Sequence, residues 1–170
     1  MWTTSAGITN VPAGTSAFRL TFHPSPVFPL ANITIAITTD NAYNLYFNNT
    51  LVGSSIDWPT PNVWTILNVP SNGPWIFAVL ATNFQQTTIN PAGVIASFRA
   101  SNDAQQAFYN WWTGQIASPS VVWKAMSQAP NDFAQPSLND STWPSAVILT
   151  PYGGGQWGFL PAPVAKTLCG

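Results

Sequence analysis

"NITIAITTDNAYNLYFNNTLVGSS", residues 32–55, decides the fold. Ile33, Ile35 and Ile37 form one apolar row, and Tyr43, Leu45 and Phe47 form a second. A period of two is strand geometry, because successive side chains of a strand point to opposite faces. Asp40 and Asn41 break the pattern between the rows. Asn48-Asn49 breaks it again before "TLVGSS", and asparagine tolerates the positive φ that a tight hairpin needs. The stretch therefore reads as strand, polar loop, strand, tight turn, strand.

The same alternation continues on both sides. In "AFRLTFH", Phe18, Leu20 and Phe22 face one way, and Arg19, Thr21 and His23 the other. "WTILNV", "WIFAVLAT" and "GVIASFRA" are further strands, the second apolar on both faces and so expected at the centre of a sheet. "SVVWKAM" and "SAVILT" are weaker candidates. Only "NDAQQAFYNWW", residues 102–112, reads as a helix, with Asn102 or Asp103 as its cap. Sixteen prolines and eleven glycines punctuate these short runs. Many short strands separated by turn signals predict an all-β fold, an antiparallel β-sandwich of jelly-roll type with at most one short helix, as a single domain over residues 1–170.

Composition narrows function. Charged residues make up 5% of the chain, far below the usual quarter. Glutamate is absent; the acids are Asp40, Asp57, Asp103, Asp132 and Asp140, and the bases are Arg19, Arg99, Lys124 and Lys166. Nucleic-acid binding works by neutralising phosphates with clustered bases, so four scattered cations and a net charge of −1 argue against it. An anionic membrane surface is disfavoured for the same reason. No run of about 18 apolar residues predicts a membrane span. The start, "MWTTSAGITNVPAG", lacks the basic and apolar regions of a signal peptide, so the expectation is a mature secreted chain with an added Met1. Three Asn-X-Ser/Thr sequons, at Asn32, Asn48 and Asn139, agree with an exported glycoprotein. Cys169 is the only cysteine, which leaves either a cross-link between two chains in a homodimer or a free thiol on the tail. Zinc-type Cys and His spacings are absent.

The strands "FRLTF", "ITIAITTDNAYNLYFNNTLVG", "WTILNV", "WIFAVLATN" and "GVIASFRA" share an order with a known family. The chain resembles the galactose-binding-domain-like jelly rolls that accompany glycoside hydrolases such as β-galactosidases and α-rhamnosidases. The tail "FAQPSLNDSTWPSAVILTPYGGGQWG", with its Asp-x-x-Trp-x-x-Ala lead-in, resembles the closing part of such domains. It departs at Asn48-Asn49, where the family has Asn-Gly. The resemblance implies a sandwich that is not itself catalytic, and a structural Ca²⁺ held by Asp and backbone oxygens. Such a fold hosts sugar binding, protein binding and structural spacing alike.

Topology then groups the polar residues. If consecutive strands run antiparallel, three segments meet at one rim: Asp40 with Asn41, Asp57 with Trp58, and Asn83 with Gln85. Asp, Asn and Gln offer the donors and acceptors that vicinal hydroxyls require, and a Trp face suits the C–H side of a sugar ring. Secondary aromatic candidates are Tyr109, Trp111 and Trp112 in "FYNWWTGQ", and Tyr152 and Trp157 in "PYGGGQWG"; each serves either packing or a site. Trp64, Trp75 and Trp143 are expected to pack. Glycoside hydrolysis needs paired carboxylates, one of raised pKa, and the five aspartates are expected in solvated loops. A Ser/His/Asp reading would rest on His23, expected at a surface strand end, without a Gly-x-Ser-x-Gly elbow. The function expected is a secreted, non-catalytic lectin or carbohydrate-binding module for a neutral carbohydrate, with no required cofactor. The alternatives are an extracellular self-assembling protein and an accessory domain of a glycoside hydrolase.

Overall fold

A computed structural model describes residues 1–3, 10–25, 30–84, 90–102, 107–113, 122–154 and 157–166. Ten strands follow in order: β1 (Gly14–Phe22), β2 (Leu30–Asp40), β3 (Ala42–Phe47), β4 (Thr50–Ser55), β5 (Asn62–Pro70), β6 (Trp75–Asn83), β7 (Gly93–Ser101), β8 (Ala107–Trp112), β9 (Lys124–Met126) and β10 (Val164–Ala165). They form two five-stranded sheets, ordered β4-β3-β6-β1-β9 and β10-β5-β2-β7-β8. The pairs are antiparallel except β10 with β5, which run parallel. The chain is an all-β sandwich.

The period-two rows become the inner faces. Ile33, Ile35 and Ile37 from β2 and Phe98 from β7 meet Phe18, Leu45, Phe77 and Val79 of the other sheet, and all are buried. The sheets touch where the Phe77 and Phe98 rings lie 4.6 Å apart. Trp64 and Trp75 pack in this core as expected. β6, apolar on both faces, is the central strand of its sheet. Asn48 and Asn49 turn the β3–β4 hairpin at φ 45° and 69°, the left-handed pair that such a turn requires. On β4, Gly53 is filled in advance by the Trp64 ring, which a Cβ there would overlap.

The helix expected over 102–112 is corrected for residues 107–112; residues 103–106, with the cap candidate Asp103, lie outside the described residues. Ala107–Trp112 is strand β8, paired antiparallel with β7 from Ser97↔Trp112 to Ser101↔Ala107. Alanine and glutamine favour helix weakly, and pairing on the open edge of β7 overrides so small a preference. "SAVILT" makes only isolated bridges, at Ser145 with Lys124 and at Val147 with Trp2. No helix of the described residues is long and apolar enough to cross a membrane.

Both outer faces carry segments from the last third of the chain. Over the first sheet, Phe133, Ala134 and Trp143 pack on Ala17 and Ala78. Arg19, on the outer face of β1, is 1% exposed. It donates from Nε to Asp140 (2.8 Å), from Nη1 to the Phe133 carbonyl (3.0 Å) and from Nη2 to the Leu138 carbonyl (3.4 Å). Over the second sheet the covering segment leaves a cleft beneath it.

Candidate functional site

The register sets one rim. Asp40 pairs with Gly93, Ala42 with Thr82, Tyr43 with Ser55 and Gly14 with Asn83. The ends of β2, β4 and β6 therefore share one end of the sandwich, and with them Asp40–Asn41, the segment leading to Asp57–Trp58, and Asn83. Gln85 lies outside the described residues.

Sharing a rim does not give these side chains one role. Asn41 is buried; its amide donates to Asp40 Oδ1 (2.8 Å), and its Oδ1 accepts from the Phe84 amide (2.6 Å). It ties the crossover between the sheets to the end of β6. Asn83 points between the sheets and donates to the carbonyls of Val11 (2.9 Å) and Pro12 (3.3 Å), fastening the segment before β1. Asp57 is exposed, its amide held by Ser55 Oγ at 3.1 Å. Asn41 and Asn83 are thus bonded within the protein, and Asp57 faces solvent.

Asp40 and Trp58 turn outward together. Even-numbered residues of β2 lie opposite the isoleucine row, so Ala36, Thr38 and Asp40 belong to the outer face of the second sheet. They floor a cleft of about 620 Å³, together with Ile95 and Ser97 of β7. Residues 148–154 roof it together with Trp157, Gly158, Leu160 and Pro161, and Trp58 and Pro61 close one side. Tyr152 and Trp157, from the separate aromatic cluster, line this same cleft. Sequence reasoning placed the two groups apart; the fold joins them across more than a hundred residues.

Two contacts hold the tryptophans. Trp157 Nε1 donates to Asp40 Oδ2 at 2.9 Å. Its ring lies over Gly93, where an added Cβ would come within 3.1 Å of it. Thr38 Oγ1 donates to the Trp58 carbonyl at 2.6 Å, tying the backbone of that residue to β2. Asp40 is the last residue of a strand and not in a solvated loop, which corrects the expectation for the aspartates. Burial pushes its carboxyl above the usual value, and the Trp157 hydrogen bond opposes part of that rise.

The chemistry of the cleft follows. Its wall is mainly apolar and aromatic, and among the described residues that line it there is no lysine or arginine. Each Asp40 oxygen already accepts one N–H, which leaves further lone pairs for a hydroxyl donor. Thr38 and Gly93 were missed by sequence reasoning. The usable signals were the small even-numbered residues of β2 and the glycine that opens "GVIASFRA".

The other candidates separate. The side chains of Tyr109, Trp111 and Trp112 lie outside the described residues, as does Cys169. Trp143 is buried, as expected. His23 is exposed just beyond β1. Asn48 sits at the far end of β3, its Oδ1 accepting from the Ile76 amide. Asn32 and Asn139 accept from the amides of Asn68 and Ser141. Among the described residues no three His, Cys, Asp or Glu side chains gather as metal ligands. Asp40 accepts from the Trp157 N–H and Asp140 pairs with Arg19.

The fold and cleft define a class: an all-β sandwich with a mainly apolar and aromatic cleft on one sheet face. Known proteins share its architecture. The lectin of Pleurotus ostreatus, in its apo form, superposes with a TM-score of 0.76 at 29% identity, over 95% of this chain and 44% of that one. The same lectin in complex with GalNAc gives 0.75 at 25% identity, over 93% and 43%. An α-L-rhamnosidase of Streptomyces avermitilis is 29% identical over 92% of this chain and 15% of its own length. Its structure in complex with L-rhamnose shares the fold, with a TM-score of 0.76 at 24% identity. No family model matches the chain. The chain spans under half of the lectin and about 15% of the rhamnosidase.

Proposed function

We propose that the chain is a non-catalytic carbohydrate-binding module that takes a neutral sugar into the Asp40–Trp58–Trp157 cleft. The observation that carries this reading is the convergence of Trp58, Tyr152 and Trp157 on one mainly apolar cleft that holds the Asp40 carboxylate. Aromatic faces cover the C–H side of a pyranose at low ordering cost, and Asp40 accepts from a hydroxyl. The likeness to the Pleurotus lectin supports the same role. Binding is favoured over hydrolysis because glycosidic cleavage canonically uses two carboxylates, and among the described residues only Asp40 lines the cleft. The neutral wall fits an uncharged sugar better than a sialylated or sulfated one. Export is part of this proposal, with glycans at Asn32, Asn48 or Asn139; one at Asn48 would sit at the end of the sandwich away from Asp40.

A second reading, an accessory domain of a rhamnosidase-type enzyme, draws on the likeness to the Streptomyces enzyme. It keeps the same cleft and differs in what adjoins it, so the neighbouring coding sequence decides.

Calorimetry with GalNAc, galactose and L-rhamnose, beside sialic acid as the anionic control, tests the binding reading. The expected outcome is saturable binding of at least one neutral sugar, lost in Trp58→Ala. Silence across the neutral panel would sink it.

A further inference from the structure

The roof of the cleft carries one aromatic ring that the cleft does not use. Phe159 is 79% exposed and is not among the lining residues. Single exposed apolar side chains are ordinary, so exposure alone carries nothing. What sets Phe159 apart is that it is held. Its ring meets Tyr152 edge-on, with centroids 5.5 Å apart and planes at 74°. Tyr152 is fixed in turn by its hydroxyl, which donates to the Leu160 carbonyl at 3.1 Å. Gly153, at φ +81°, lies directly under the Phe159 ring, and a Cβ there would overlap it. A hydrophobic ring is thus positioned at the surface with little freedom left to lose. It adjoins the cleft through Tyr152, which belongs to both.

We propose that the Tyr152–Phe159 pair forms a second sugar subsite outside the cleft, so that the ligand is a neutral oligosaccharide and not a lone monosaccharide. This rests on the carbohydrate reading above and extends it by one unit. A sugar seated between Trp58 and Trp157 would extend its next residue past Tyr152, onto the outer face of Phe159. A pre-positioned ring costs little ordering on binding, which is how aromatic platforms gain affinity. No charged residue occurs from Ile148 to Pro163, so the platform suits the same neutral class as the cleft.

The test is calorimetry with GalNAc, galactose and L-rhamnose, and with trisaccharides ending in each. The native chain should bind a matching trisaccharide roughly tenfold more tightly than its terminal monosaccharide, the scale of one aromatic contact. Phe159→Ala should remove that advantage and leave monosaccharide affinity within about twofold. Phe159→Tyr, which keeps the ring face, should restore it. If a monosaccharide binds and its trisaccharide gains nothing, the subsite is wrong and the cleft stands. The subsite also fails if Phe159→Ala dissolves a dimer in sedimentation while both affinities hold, because the ring then packs on a second copy. If no sugar of the panel binds, the cleft reading and the subsite fall together.

Discussion

The two outer faces of the sandwich are covered in different ways. Over the first sheet the cover is sealed: Ala17 and Ala78 let Phe133 and Trp143 approach closely, and Arg19 fastens the segment from beneath with three donors. Over the second sheet the cover is anchored at its two ends, by the Val147 bridge to Trp2 and by β10 alongside β5, and between them by Trp157 on Asp40. The floor there is Thr38, Ile95 and Ser97, and about 620 Å³ stays open. Both covers come from proline-rich chain with little regular structure. The contrast is between an irregular segment closed onto its sheet by a buried, paired side chain and one that leaves a cleft beneath it.

The sharpest way to break the contrast is to unfasten the sealed face. Arg19→Met keeps the apolar stem and removes the guanidinium. Asp140, 20% exposed and still bonded by Thr21 Oγ1, and the carbonyls of Phe133 and Leu138 then lose the guanidinium. Removing one partner of a buried pair is strongly destabilising, so a loss of about 3 kcal/mol is expected in urea unfolding. Sugar affinity should not change, because Arg19 lies on the other sheet from the cleft. A loss under about 0.5 kcal/mol would show that the anchor holds nothing, since that is the range of ordinary surface substitutions.

The same contrast explains what the sequence disclosed. Ile33, Ile35 and Ile37 against Thr34, Ala36 and Thr38 spell out an inner and an outer face, because a strand's side chains alternate whatever packs on them. Asn48-Asn49 named its turn through the φ it needs. The meeting of Asp40, Trp58 and Asn83 at one rim followed from antiparallel topology. What stayed hidden was orientation: Asn41 and Asn83 share the rim but point into the protein, where backbone groups claim them. Arg19 read only as a member of the outer row of its strand, because the segment that buries it starts more than a hundred residues later. The cleft was illegible for the same reason, since its roof has neither period two nor period 3.6 to betray which face it covers. The mistaken helix at 102–112 arose where weak propensity spoke and the pairing partner lay out of local view.

A smaller stability effect with a larger functional one is expected from the open face. Trp157→Ala deletes the ring over Gly93 and the donor to Asp40 Oδ2. The half-exposed roof loses one hydrogen bond and part of one apolar contact, roughly 1–2 kcal/mol by urea unfolding. Neutral-sugar binding should fall at least about tenfold, since one wall of the cleft is gone. The two substitutions thus predict opposite patterns: Arg19→Met costs stability without affinity, and Trp157→Ala costs affinity with little stability. Parallel losses in both would mean that the faces are not separable.

The finest distinction lies in how the two anchors respond to pH, read through Asp40. Burial raises its carboxyl pKa above the value of 3.8 that it would have unfolded, with the Trp157 hydrogen bond opposing part of the rise. The native state therefore holds this proton more tightly than the unfolded chain. A raised pKa contributes stability that is fully present below the unfolded value and is lost as pH rises through the folded one. Acidifying from neutrality towards 3.8 should thus stabilise the native chain relative to Asp40→Asn, whose carboxamide does not titrate. The quantity to follow is the difference in unfolding free energy between the two chains across that range. A difference that stays flat would mean that Asp40 is as well solvated folded as unfolded. The open face would then be wetter at its floor than the Trp157 contact implies, and its anchor would owe less to burial than to that one hydrogen bond.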